Sequence, residues 1–66
     1  MDESEVIHMA KRIAQEEGWL WVEPVRVELN GEVWILRTNY KERGQNIQIE
    51  IIDSTGKVLT KRFINK

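Results

Sequence analysis

Residues Val25 to Arg37 read VRVELNGEVWILR, two alternating apolar runs on either side of Asn30-Gly31. Alternation with a period of two marks a strand with one buried face. Asn-Gly between two such runs is the strongest short-range hairpin signal. A two-residue turn at Asn30-Gly31 predicts that Leu29 opposes Glu32, Val27 opposes Trp34 and Val25 opposes Leu36. Directly opposed residues share a face. Val25, Val27, Leu29, Trp34 and Leu36 therefore point one way, and Arg26, Glu28, Val33, Ile35 and Arg37 the other. Pro24 cannot donate to a ladder, which puts this strand at a sheet edge or Pro24 at its very start.

Working downstream, Asn39 to Gln45 is a polar connection with Gly44 as its turn residue. Asn46 to Ile52 resumes the alternation, with Ile47, Ile49 and Ile51 on one face. Asp53-Ser54-Thr55-Gly56 fits a type I turn closed by a glycine bulge, and the last strand extends from Lys57 to Ile64. That turn opposes Ile51 to Leu59 and Ile47 to Phe63, and sets Gln48, Glu50 and Ile52 against Arg62, Thr60 and Val58. Pairing Leu36 with Ile49 and Trp34 with Ile51 gives all three hairpins the same parity. One face then collects Val25, Val27, Leu29, Trp34, Leu36, Ile47, Ile49, Ile51, Leu59 and Phe63. Lys61 falls on this face too. On an edge strand it can snorkel to solvent and discourage sheet-to-sheet aggregation.

Upstream, Asp2 to Glu17 carries Val6, Met9, Ala10, Ile13 and Ala14 on one helical stripe, with Ile7 on its margin. Asp2 or Ser4 suits the N-cap, Asp2 and Glu5 have capping-box spacing, and Gly18 suits the left-handed position after the last turn. Trp19 follows it and is placed to pack back on Ile13 or Ala14. A helix of this length spans about 22 Å and can cover much of the apolar face. The predicted fold is α+β, one N-terminal helix packed on one face of a four-stranded antiparallel meander.

The chain has 66 residues, which fits a single small domain over residues 1–66, near the lower limit for a core that folds unaided. With no Cys, neither a disulfide nor a thiolate metal site is available, so stability rests on packing. A net charge of -1 with mixed signs makes no electrostatic case for nucleic acid or an anionic membrane. The start MDESEVIHMAKR is acidic, and no apolar run approaches the roughly 20 residues of a membrane span. These features predict a cytoplasmic protein.

A helix with Ala10 and Ala14 ending at Gly18, a sheet, and a late hairpin reading IEIIDSTGKVL (Ile49 to Leu59) together resemble a PepSY-type module. The resemblance covers most of the chain and implies a non-enzymatic domain of the kind thought to modulate peptidases, without catalytic residues. The same element order is similar to the cystatin architecture. The Gln-x-Val-x-Gly loop of that family has only Gln45-Asn46-Ile47-Gln48-Ile49 as a counterpart, without its Val and Gly.

Little else in the chain points to catalysis. Asp2, Ser4 and His8 have the residue types of a hydrolytic triad, but a triad is defined by geometry, and a helix start has no pocket to exclude water. One His and no Cys leave only carboxylates for a metal, and no calcium-loop spacing is present. Gly56-Lys57 lacks the rest of a phosphate loop. The expectation is a chain with no enzyme activity, cofactor or metal.

The open sheet face is the candidate site. Its predicted rows are Glu28, Val33, Ile52 and Val58; then Arg26, Ile35, Glu50 and Thr60; then Arg37, Gln48 and Arg62. An apolar patch of Val33, Ile35, Ile52 and Val58 is thereby bordered by Arg26, Arg37 and Arg62. Contiguous apolar patches tend to mark interfaces, here with a protein partner or a second copy. A solvated face also carries β-branched residues for strand propensity alone. Two other readings stand beside this one. Agreement of caps, turns and patterning fits an idealised or designed structural domain with no partner. Arg26, Arg37 and Arg62, with Lys41 and Arg43 beside Tyr40 in the 39–46 loop, fit a weak nucleic-acid binder. Trp19 and Trp21 are expected to close the end of the core, and either one, if exposed, becomes a contact hot spot.

Overall fold

The computed structural model describes residues 1–65. The order is α1 (Glu3–Glu17), β1 (Arg26–Asn30), β2 (Val33–Arg37), β3 (Asn46–Ile52) and β4 (Val58–Ile64). The strands form one antiparallel sheet in the order β1-β2-β3-β4. Helix α1 packs across β1, β2 and β3 on one face. The fold is α+β, as the periodicities predict.

Both ends of α1 follow from local chemistry. The Glu5 amide donates to Asp2 Oδ1 (2.9 Å), and the Asp2 amide donates to Glu5 Oε1 (3.0 Å), a complete capping box. Gly18 takes φ 75°, and the amides of Gly18 and Trp19 reach the carbonyls of Gln15 and Ala14. That is the Schellman arrangement, which needs a left-handed residue after the last turn. Trp19 does not fold back on the helix alone: its ring stacks on Phe63 of β4, centroids 6.0 Å apart. Trp21 is half-buried as well, its indole N–H donating to Glu23 (2.8 Å) while Lys11 lies over its ring. Both tryptophans close the core, and Leu20 between them is the exposed one.

The core consists of Val6, Ala10 and Ala14 from α1 against Trp34, Leu36, Ile47, Ile49 and Ile51. Val25, Val27 and Phe63 pack at its margin, whereas Leu29 is exposed at the end of β1. Lys61 pairs with Ile49, so it lies on the helix side, where its Nζ meets Glu17 at 2.7 Å. The inward-pointing lysine thus neutralises one of the two glutamates at the negative end of the helix dipole.

Two registers differ from the pattern-based expectation. Val27 opposes Leu36 rather than Trp34, a slide of two residues, and the turn is Gly31-Glu32 rather than Asn30-Gly31. Gly31 has φ 66°, the demand of the first central position in a type II′ hairpin. The slide keeps Pro24 outside the ladder: in the expected register it would oppose Arg37 with no N–H to give. In place of such a pair, the Asn39 and Tyr40 amides bond to the carbonyls of Val22 and Pro24. Because the slide is even, every β1 residue keeps its face.

The second difference does change a face. The β3–β4 ladder pairs Glu50 with Thr60 but Ile51 with Val58, a bulge that leaves Leu59 unpaired. Val58 therefore sits opposite a core residue and packs against the core from the helix side, not on the open face where alternation puts it. Leu59, expected in the core, is exposed. A full one-residue slip would have turned all of β4 over, and the bulge confines the flip to its first turn.

Candidate functional site

With α1 on one side, the opposite face of the sheet is uncovered. Val33, Ile35 and Ile52 lie there together, each half-buried, with Val33 paired to Ile52. Val58 is removed from this patch by the bulge, so the apolar surface is one residue smaller than predicted. The middle row across the face is Glu28, Ile35, Glu50 and Thr60. The third is Arg26, Arg37, Gln48 and Arg62. The slide of β1 is what moves Arg26 from the middle row into line with Arg37. Three arginines, only one of the four positions being uncharged, now share a single row.

Tyr40 completes this end of the face. Arg26 lies over its ring, 4.8 Å from the centroid, and Arg26 Nη1 donates to Tyr40 Oη at 2.6 Å. Glu28 stands 3.6 Å from Arg26 Nε. Between these groups opens a shallow cavity of about 240 Å³ lined by Arg26, Glu28, Ile35, Arg37, Tyr40 and Gln48. A second hollow shares Arg37 and runs on to Arg43, Gly44, Asn46 and Ile64. Among the described residues, Arg37, Arg43 and Arg62 make no ion pair.

The loop that carries Tyr40 and Arg43 is held from inside by Asn46, which is fully buried. Asn46 Nδ2 donates to the carbonyls of Thr38 (2.8 Å), Asn39 (3.0 Å) and Glu42 (3.3 Å), and its Oδ1 accepts from the Gly44 amide (2.8 Å). Buried Thr38 adds its hydroxyl as acceptor for the Ile47 amide. Asn39 and Gln45 adopt positive φ of 49° and 54°, so the loop bends tightly around the asparagine. This hub is absent from the alternation pattern, because at Asn46 a strand position doubles as the anchor of the loop before it. A buried position for a polar side chain requires that its bonds be met, and only the fold shows that they are.

At the other end of the sheet, Trp34 Nε1 donates to Asp53 Oδ1 at 2.6 Å, and the Met1 ammonium lies 3.3 Å from the same oxygen. The indole bond, with help from the ammonium, holds the Asp53 carboxyl below its usual pKa. Asp2, Ser4 and His8 are exposed on α1 or at its start, and no bond joins Ser4 to His8. Among the described residues no group of three or more His, Asp or Glu could hold a metal ion. No helix among them is long and apolar enough to cross a membrane. No family model matches the chain, and no curated protein or solved structure matches it either.

Proposed function

We propose that the chain is a small non-enzymatic binding module, PepSY-like in its order of elements, that meets a protein partner or a second copy through the open sheet face. The observation that carries this reading is the composition of that face. Val33, Ile35 and Ile52 form a contiguous apolar strip beside a row containing Arg26, Arg37 and Arg62. Apolar anchors with arginine beside them are a common make-up of a protein interface, where Arg is enriched, and Glu28 and Glu50 on either side of Ile35 belong to its polar surround. The shallow cavities suit side chains of a macromolecule better than the enclosure of a small substrate.

Association tests it. Val33→Lys or Ile52→Lys should preserve the far-UV circular dichroism and the unfolding midpoint while removing partner binding or self-association, read by sedimentation at low and high concentration. A protein that is monomeric at both concentrations and keeps every partner after Ile52→Lys overturns the proposal.

A second reading, an idealised structural domain without a partner, is favoured by the capping box, the Schellman turn and the simple meander all agreeing. A specific partner sinks it.

A further inference from the structure

We infer that the cleft between Arg26 and Arg37 takes a carboxylate from an acidic segment of a protein partner, an inference that rests on the open face being a protein-binding surface. Arg26 and Arg37 are direct partners in the β1–β2 ladder. At such positions side chains start about 5 Å apart and like charges destabilise the sheet. Arg26 is partly balanced by Glu28 and seated on Tyr40. Arg37 is half-buried and has neither ion pair nor side-chain hydrogen bond among the described residues. An anion placed between the two guanidinium groups relieves their repulsion and gives Arg37 a charged acceptor in place of solvent.

The shape of the cleft suits a carboxylate. Arginine's planar fork binds a carboxylate through two parallel N–H bonds. Gln48, next to Arg37 in the same row, adds an amide donor, and Ile35 lines the cleft beside them. Arg62 lies two strands from Arg37, about 10 Å away. A second carboxylate two residues along an extended segment, about 7 Å from the first, comes within its reach. A nucleic-acid strand fits less well. Glu28 lines the Arg26 side of the cleft and Glu50 stands in the same neighbouring row, so a continuous phosphate backbone meets both, whereas a peptide can give one carboxylate to the Arg37 side and set uncharged side chains beside the two glutamates.

The probes are a blocked hexapeptide of alternating valine and glutamate, its counterpart with glutamine for glutamate, and oligothymidylate, each labelled for fluorescence anisotropy at low salt. The glutamate peptide is expected to bind the wild type. Replacing its glutamates, or making Arg37→Gln in the protein, should each weaken binding at least about tenfold, the scale of one lost charge-assisted bond. Arg37→Lys should fall between. Arg37→Gln also removes a like-charge pair, so an unfolding midpoint at or above wild type separates lost binding from lost folding. Equal binding of the two peptides, or wild-type binding by Arg37→Gln, refutes the carboxylate site; loss of binding on Ile52→Lys in that case leaves the open-face reading standing. Weakening by Arg37→Gln but not by Ile52→Lys supports the anion cleft and removes the apolar strip from the contact. Absence of glutamate-peptide binding at millimolar concentration, or tighter binding of oligothymidylate, overturns the inference.

Discussion

Arg26 and Arg37 stand directly opposite each other across the first hairpin, two cations where the ladder would accept an opposite pair. A two-residue slide of β1 creates this contact, and the Arg row, the Tyr40 seat and the cavity all depend on it. Like charges at directly opposed positions are expected to cost the sheet stability.

Arg37→Gln should raise the stability of the free protein by up to about 1 kcal/mol, the upper range for a cross-strand pair. Urea unfolding measures it. A double-mutant cycle with Arg26→Gln isolates the repulsion, and a coupling of zero or opposite sign removes the strain from the account.

Asn46→Ala should be among the most damaging single changes, costing about 3 kcal/mol, because it takes the acceptor of the Gly44 amide and the side-chain donor of the Thr38 and Glu42 carbonyls, while the Asn39 carbonyl keeps only the Glu42 amide. Asn46→Asp should be at least as harmful, since a carboxylate faces the carbonyls of Thr38, Asn39 and Glu42 with nothing to donate. Unfolding midpoints check both. A near-neutral alanine variant means the loop holds itself without the hub.

Gly18→Ala should cost about 1 kcal/mol, the penalty of a left-handed conformation for an L residue. A Cβ at Gly18 meets no atom within 4 Å, so the cost is conformational rather than a clash. Thermal unfolding of the single variant, with Gly18→Asn as the more tolerant comparison, reads it directly.

Asp53 ties one end of the sheet to acid stability. Its folded pKa lies below the usual 3.8, chiefly because the Trp34 indole donates to the charged form. The unfolded state therefore takes up the proton first as pH falls. The contribution is present above the unfolded value and is lost as pH drops through the lower, folded one. Asp53→Asn should flatten that part of the stability curve and shift the Trp34 indole resonance. An unchanged acid limb breaks the link.

Lys61→Val should leave the unfolding midpoint nearly where it was, because the Glu17 pair it removes is exposed. It should also promote self-association, since β4 is a free edge and an inward-pointing lysine is one of the devices that blunt such edges. Light scattering against concentration decides. A variant as monomeric as wild type removes the guarding role.

Features that depend on neighbours in sequence were legible from the residues alone. The Asp2–Glu5 capping box, the Gly18 terminus and the three-hairpin meander are each specified within a few residues. The β2–β3 register was legible too, with Leu36 against Ile49 and Trp34 against Ile51. Of the candidate site, Val33, Ile35, Ile52, Arg37 and Arg62 fell on the open face where alternation places them, and Arg26 joined them one row over. Val58 did not. A bulge costs the backbone only one unpaired residue, and nothing in VLTKRFI announces where that residue will be.

Val25 to Arg37 shows the division most plainly. Sequence by itself determined that this stretch is a hairpin and which side chains share a face, because strand periodicity is two and survives any even slide. Only the tertiary structure decided that the turn sits at Gly31-Glu32, with Pro24 kept outside the ladder, Asn39 and Tyr40 bonded to Val22 and Pro24, and Asn46 gripping the loop beside them. The bonds of Asn39 and Tyr40 join residues 17 and 16 apart in the chain, those of Asn46 fix the loop that presents them, and their combined geometry selects among registers that local alternation leaves equivalent.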